Sequence, residues 1–178
     1  MNSDRDSEQG KKFKCAVLTL SDRCSRKEYE DESGKIIAEF IKGIGGEVVE
    51  YDVIPDEIDM VKEKLIHFCD HLRVDVVLTT GGTGLGPRDI TPEATKEVSQ
   101  KIIPGISELI RIEGLKKTRN SMLSRGISAV RGNSIIINLP GSPKGARESL
   151  QAILDIVPHA LRMLKGEGHS DIHCDPLI

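Results

Sequence analysis

A chain of 178 residues, 38% apolar and 30% charged, is long enough to bury one ordinary core and is neither disordered nor fibrous in composition. Its net charge of −3 and aromatic content of 3%, with no tryptophan, exclude a general nucleic-acid binder built on basic patches and stacking rings. No apolar run approaches transmembrane length, and the four cysteines (Cys15, Cys24, Cys69 and Cys174) form no C-x-x-C pair. A cytoplasmic protein without a disulfide framework, and with no membrane or nucleic-acid partner, is expected.

Residues 1–12 are polar and mixed in charge, which predicts a disordered lead-in rather than a signal peptide. FKCAVLTL (Phe13–Leu20) reads as a buried strand, followed by the polar loop SDRCSRKEYEDESG. From Gly34, Ile36, Ile37, Phe40, Ile41 and Ile44 recur at helical spacing, and Gly45-Gly46 supplies a stop. EVVEYDVIP predicts a second strand ended by Pro55. Ile58, Val61, Leu65, Phe68 and Leu72 then share the face of a second helix. VDVVLTT is a third strand, running into TTGGTGLGPRDITPEAT. A helix is expected to start there with Thr91 as N-cap and Pro92 at the first helical position. PGISELIRIEGL reads as another helix, and ISAVRGNSIIINLPG as two strands about an Arg131–Ser134 turn. The last segment, KGARESLQAILDIVPHALRMLKG, is a long helix that Pro158 kinks or breaks. Residues 166–178, with His169, Asp171, His173, Cys174 and Asp175, read as a flexible tail that fits no strong zinc spacing.

This alternation predicts one α/β domain over residues 13–165, with a mostly parallel sheet and one antiparallel strand. In such sheets ligands sit beyond the carboxyl ends of the strands, where LTLSDR, VIPDE, LTTGGTG and NLPGSPK all fall. The glycine loop lacks the lysine and hydroxyl of a P-loop, since Pro87-Arg88 follow Gly86. Its G-x-G-x-G pattern after the third strand is also not the dinucleotide fingerprint. Two readings stay open: a plain surface turn, or a nest of backbone N–H groups for a phosphate. Asp89 either bonds local backbone or helps to hold Mg²⁺ against substrate phosphates. Asp56 is either the N-cap of the following helix or a second such ligand. Arg88, Arg125 and Lys144 are either phosphate partners or solvated charges.

LTTGGTG and PRDITPEAT, with IPDE before them and MLSRG and INLPGSPKG after, resemble the Mog/MoaB family of molybdenum cofactor biosynthesis, which includes the gephyrin G domain. The resemblance spans about Lys12 to Lys165. It implies a three-layer α/β/α sandwich that binds molybdopterin. Mog-type members are adenylyltransferases, which use Mg²⁺ and ATP to attach AMP to the molybdopterin phosphate and release pyrophosphate. On this resemblance Asp56 and Asp89 are the catalytic, metal-holding pair. Thr80, Gly81, Gly82, Thr83 and Gly84 line the nucleotide and phosphate site. Ser21, Asp22, Ser124, Arg125, Pro140, Gly141 and Ser142 surround the pterin. A homo-oligomer, trimer or hexamer, is implied, as is a separate metal-insertion protein. The alternative function is a non-catalytic molybdopterin carrier or scaffold of the MoaB kind.

Overall fold

In the computed structural model residues 13–166 are described, so the lead-in and nearly all of the tail lie outside the described residues. The apolar runs become strands β1 (Lys14–Leu20), β2 (Glu47–Ile54), β3 (Val76–Thr80) and β6 (Ser134–Leu139), with β4 (Lys101–Ile102) and β5 (Ser128–Arg131) beside them. They form one sheet in the order β2-β1-β3-β6-β5-β4. The pairs β2/β1, β1/β3 and β3/β6 are parallel, and β5 runs antiparallel to both of its neighbours. The expected single antiparallel strand is therefore β5, joined to β6 by a turn in which Gly132 adopts φ +56°.

Alternate strand residues feed two cores. Cys15, Val17, Val76, Leu78, Ile135 and Ile137 face α2 (Glu32–Gly43), α5 (Pro104–Leu115), α6 (Pro143–Ile153) and α7 (Val157–Leu164). Ala16, Leu18, Val77 and Ile136 face α3 (Ile58–Ile66) and α4 (Thr91–Val98). Because both faces are covered, the central strands are buried along their whole length instead of alternating. The result is the three-layer α/β/α sandwich.

Several local expectations are revised. The polar loop after β1 contains a short helix, α1 (Asp22–Ser25), capped by Ser21, whose Oγ accepts from the Cys24 N–H at 3.2 Å. Helix α2 begins two residues before Gly34, because the Asp31 carboxylate caps it by accepting the Gly34 N–H at 2.9 Å. The second predicted helix continues past α3 as a π-helical turn, His67–His71. Thr91 is not an N-cap: Ile90 holds that position, and the Thr91 hydroxyl instead donates to the Gly81 carbonyl at 2.8 Å. Pro158 breaks the last helix, with α6 ending at Ile153 and the proline in the first turn of α7, where no N–H is missed.

Candidate active site

Strand β1 leads to β2 on one side and has β3 on the other, so the strand order reverses between β1 and β3. That switch point is where an open α/β sheet leaves a crevice. The loops after β1 and β3 meet there so closely that a Cβ on Gly81 would stand 2.2 Å from the Leu20 carbonyl oxygen. The loop after β6 closes in as well, with the Thr80 hydroxyl donating to the Pro140 carbonyl at 2.7 Å. Since β5 is antiparallel, its entry segment, Ser124–Ile127, reaches the same edge.

The glycine loop is a built feature rather than a plain turn. Gly81 and Gly82 take φ +101° and +62°, backbone that L side chains rarely adopt. A Cβ on Gly82 would stand 2.3 Å from Thr91 Oγ1 and 3.1 Å from Asp56 Oδ1, so glycine permits both the turn and the approach of the carboxylate. Beneath the loop, the buried Asn138 amide donates to the hydroxyls of Thr79 and Thr95, each at 3.0 Å, and its oxygen accepts the Ile127 N–H at 3.2 Å. Three site-bearing segments are thereby tied to one residue.

Asp56 is not the cap of α3. Glu57 occupies that position, and the helix makes no side-chain cap bond. Asp56 and Asp22 instead exchange bonds across the crevice. Asp56 Oδ2 accepts the Asp22 N–H at 3.1 Å, and Asp22 Oδ1 accepts the Asp56 N–H at 3.2 Å. Partial burial, reinforced by the charges of Asp22 and Asp89, raises the Asp56 carboxyl above the ordinary aspartate range despite the Asp22 N–H and Arg88. Asp89 Oδ2 accepts the Gly86 N–H at 2.7 Å, so the local backbone bond does form. Asp22 is shifted the other way, chiefly by the hydrogen bond from Arg88. Arg88 spans Asp22 and Glu57, each at 2.8 Å.

Arg125 points back into the protein. It donates to the carbonyls of Gly84 (2.6 Å) and Asp89 (2.7 Å) and pairs with Glu93. Lys144 is exposed in the first turn of α6, whose N-cap is Ser142, bonded to the Gly145 N–H at 3.1 Å.

Two cavities flank the ridge made by Gly81 and Gly141, where a Cβ on Gly141 would stand 3.1 Å from the Gly81 Cα. One, of about 540 Å³, is lined in part by Thr83, Gly84, Ser124, Pro140 and Ser142. The other, of about 430 Å³, includes Ser21, Thr80, Gly81 and Gly141. Five of the seven expected pterin residues are thus divided between the two, Asp22 and Arg125 line neither, and the glycine loop borders both. Sequence reasoning missed Asp31 and Ser33 in the second cavity. Asp31 accepts a hydrogen bond from the Tyr51 hydroxyl, and the Ser33 hydroxyl donates to the Gly141 carbonyl at 2.8 Å. Their only sequence signal is a capping residue ahead of an apolar-periodic helix.

Among the described residues, no three His, Cys, Asp or Glu side chains stand close enough to form a metal cage. The carboxylates that could hold a metal at the loop are Asp56, beside Gly82, and Asp89, beside Gly84 and Gly86.

Residues 16–159 match the family model described as a probable molybdopterin binding domain. The chain is 45% identical over 152 residues to a molybdopterin adenylyltransferase of Helicobacter pylori strain J99, spanning 84% of this chain and 86% of that protein. It is 31% identical to the molybdopterin adenylyltransferase of Escherichia coli K12, over 86% of each chain. Among solved structures, the molybdopterin biosynthesis enzyme MoaB of Thermus thermophilus superposes with a TM-score of 0.82 at 49% identity, covering 86% of this chain and 97% of that one.

Proposed function

Because the chain belongs to the Mog/MoaB molybdopterin-binding family, we propose that it is an enzyme, a molybdopterin adenylyltransferase acting in molybdenum cofactor biosynthesis. The observation that supports this best is the crevice itself: two cavities border a positive-φ glycine loop that has two carboxylates beside it. One substrate occupies each cavity, and their phosphates converge on the ridge of Gly81 and Gly141. An oxygen of the molybdopterin phosphate attacks the α-phosphorus of ATP in line. The bond from that phosphorus to the bridging oxygen breaks, and pyrophosphate leaves with the electron pair. The attacking oxygen is already ionised near neutral pH, so no side chain has to act as general base.

Catalysis then rests on positioning and charge stabilisation. Of the loop Thr80–Gly84, the N–H groups of Gly82, Thr83 and Gly84 and the Thr83 hydroxyl are the donors offered to phosphate oxygens, since the Thr80 hydroxyl and the Gly81 N–H already donate to Pro140 and Leu139. Ser21 and Gly141 line the smaller cavity, and Ser124, Pro140 and Ser142 the larger, so each set holds the substrate of its own cavity. Asp56 and Asp89 would hold Mg²⁺, which when bound neutralises charge on the transferring and leaving phosphates. The protein works in the cytoplasm as a homo-oligomer, trimeric or hexameric. The exposed apolar side chains of Leu109, Ile112 and Leu115 on α5, with Met122 nearby, are suited to covering by another copy. A separate protein inserts the metal downstream.

The test is incubation of the purified protein with molybdopterin, ATP and Mg²⁺, following pyrophosphate and adenylylated pterin. Product that disappears when pterin or metal is omitted is expected. Pterin binding without product would make the protein a carrier.

A further inference from the structure

We infer that Arg125, paired with Glu93, is a positioning residue that sets the direction of the glycine loop's peptide groups, and is not a substrate-binding cation. The inference rests on the adenylyl-transfer reading of the site. Arg125 takes hold of the loop at three carbonyls. Its backbone N–H donates to Thr83 O at 2.9 Å, its Nε to Gly84 O at 2.6 Å and an Nη to Asp89 O at 2.7 Å. In a planar trans peptide the N–H points opposite to the C=O. Drawing the Thr83 and Gly84 carbonyls toward Arg125 therefore turns the N–H groups of Gly84 and Leu85 away from it. The third contact fixes the backbone of Asp89, whose carboxylate is tied back to the Gly86 N–H. Residues 83–89 are held from both ends.

Two further observations separate this role from phosphate binding. Glu93, in the first turn of α4, pairs with the guanidinium, so its charge is already met within the protein. Arg125 is itself anchored: Arg111 of α5 donates to the carbonyls on either side of it, Gly126 O at 3.0 Å and Ser124 O at 3.4 Å. Helix α5 thus holds the Ser124–Gly126 segment, Arg125 holds the glycine loop, and the loop places Asp89. A lysine keeps the charge but has no planar fork to span Gly84, Asp89 and Glu93 at once.

The experiment compares the full chain with R125K and E93Q. It reads steady-state constants for ATP, amide hydrogen exchange over residues 81–89, and thermal unfolding. For R125K, kcat should fall about 10–100-fold, the cost of a misplaced reacting group, with KM for ATP moving less than about threefold. Exchange in the loop should quicken. E93Q retains the arginine, so it carries the test should R125K fail to fold; it too should lower kcat and quicken exchange, without tightening ATP binding. A raised KM at constant kcat with unchanged exchange, or tighter ATP binding in E93Q, would overturn the inference and make Arg125 a substrate cation. The exchange readout needs no activity. An inactive parent protein whose loop loosens in R125K defeats the adenylyl-transfer reading and upholds the clasp.

Discussion

Two charged groups border the glycine loop: Asp22, Asp56, Asp89 and Arg88 make up an aspartate side, and Arg125 and Glu93 an arginine side. Both groups carry opposite charges at hydrogen-bonding distance, yet they are organised differently. On the arginine side, the guanidinium meets two carbonyls and one carboxylate, and Glu93 titrates low because of that bond. On the aspartate side, Arg88 is taken up by Asp22 and Glu57, and Asp56 is pushed toward its protonated form. A satisfied group costs nothing further and serves as scaffold. A partly desolvated carboxylate beside like charge is a standing penalty that a bound cation relieves. On the proposed reading, the aspartate side is where ligand chemistry would take place and the arginine side its support.

The largest expected effects should fall on the aspartate side. Replacing Asp56 or Asp89 with Asn is expected to lower kcat about 10²–10³-fold, the scale of losing one charge-stabilising group, while circular dichroism stays unchanged. Normal turnover in Asp89→Asn would erase the distinction between the two sides. The loop they border should answer in stability. Gly82→Ala introduces a Cβ at φ +62° and 2.3 Å from Thr91 Oγ1. A loss of about 3 kcal/mol is expected, read by urea unfolding, from backbone strain and displacement of the Thr91 bond. Beneath the loop, Asn138→Leu strands the Thr79 and Thr95 hydroxyls and the Ile127 N–H. About 2 kcal/mol should be lost there. A neutral Asn138→Leu would mean that the segments are aligned by apolar packing alone.

What was legible in the sequence follows the range of the forces involved. Strands β1, β3 and β6 announce themselves as apolar runs because both faces of the sheet are covered. The β5–β6 turn is written in Gly132, and the helix break in Pro158. Asp56 and Asp89 were legible as candidates because carboxylates beside a glycine loop call for a cation. Their structural partners were not. The Asp56–Asp22 exchange joins residues 34 apart, and no local rule separates it from a helix cap. Thr91 was misread for the same reason: its hydroxyl serves Gly81, ten residues earlier, and not its own helix. Strand β4 has two exposed residues and no periodicity; only the neighbouring β5 makes it a strand. Arg125 showed its charge in the sequence but not its direction, which is set by Glu93 and two carbonyls from other segments.

The smallest expected effect bears most directly on the aspartate side. With its carboxyl raised in the fold by burial and by Asp22 and Asp89, Asp56 binds its proton more tightly in the native state than in the unfolded chain. Its contribution to stability is then fully present below the unfolded value of about 3.9 and is lost as pH rises through the higher native one. Asn carries no charge at either end of that range. Asp56→Asn should therefore raise Tm at pH 7, by no more than about 4 °C, and the gain should vanish in acid. A helix-capping carboxylate has the opposite signature, since its removal lowers Tm at neutral pH and leaves acid stability alone. A substitution that both stabilises the fold and abolishes turnover would show that Asp56 is kept charged at the expense of stability, because a ligand, not the protein, supplies its counter-ion.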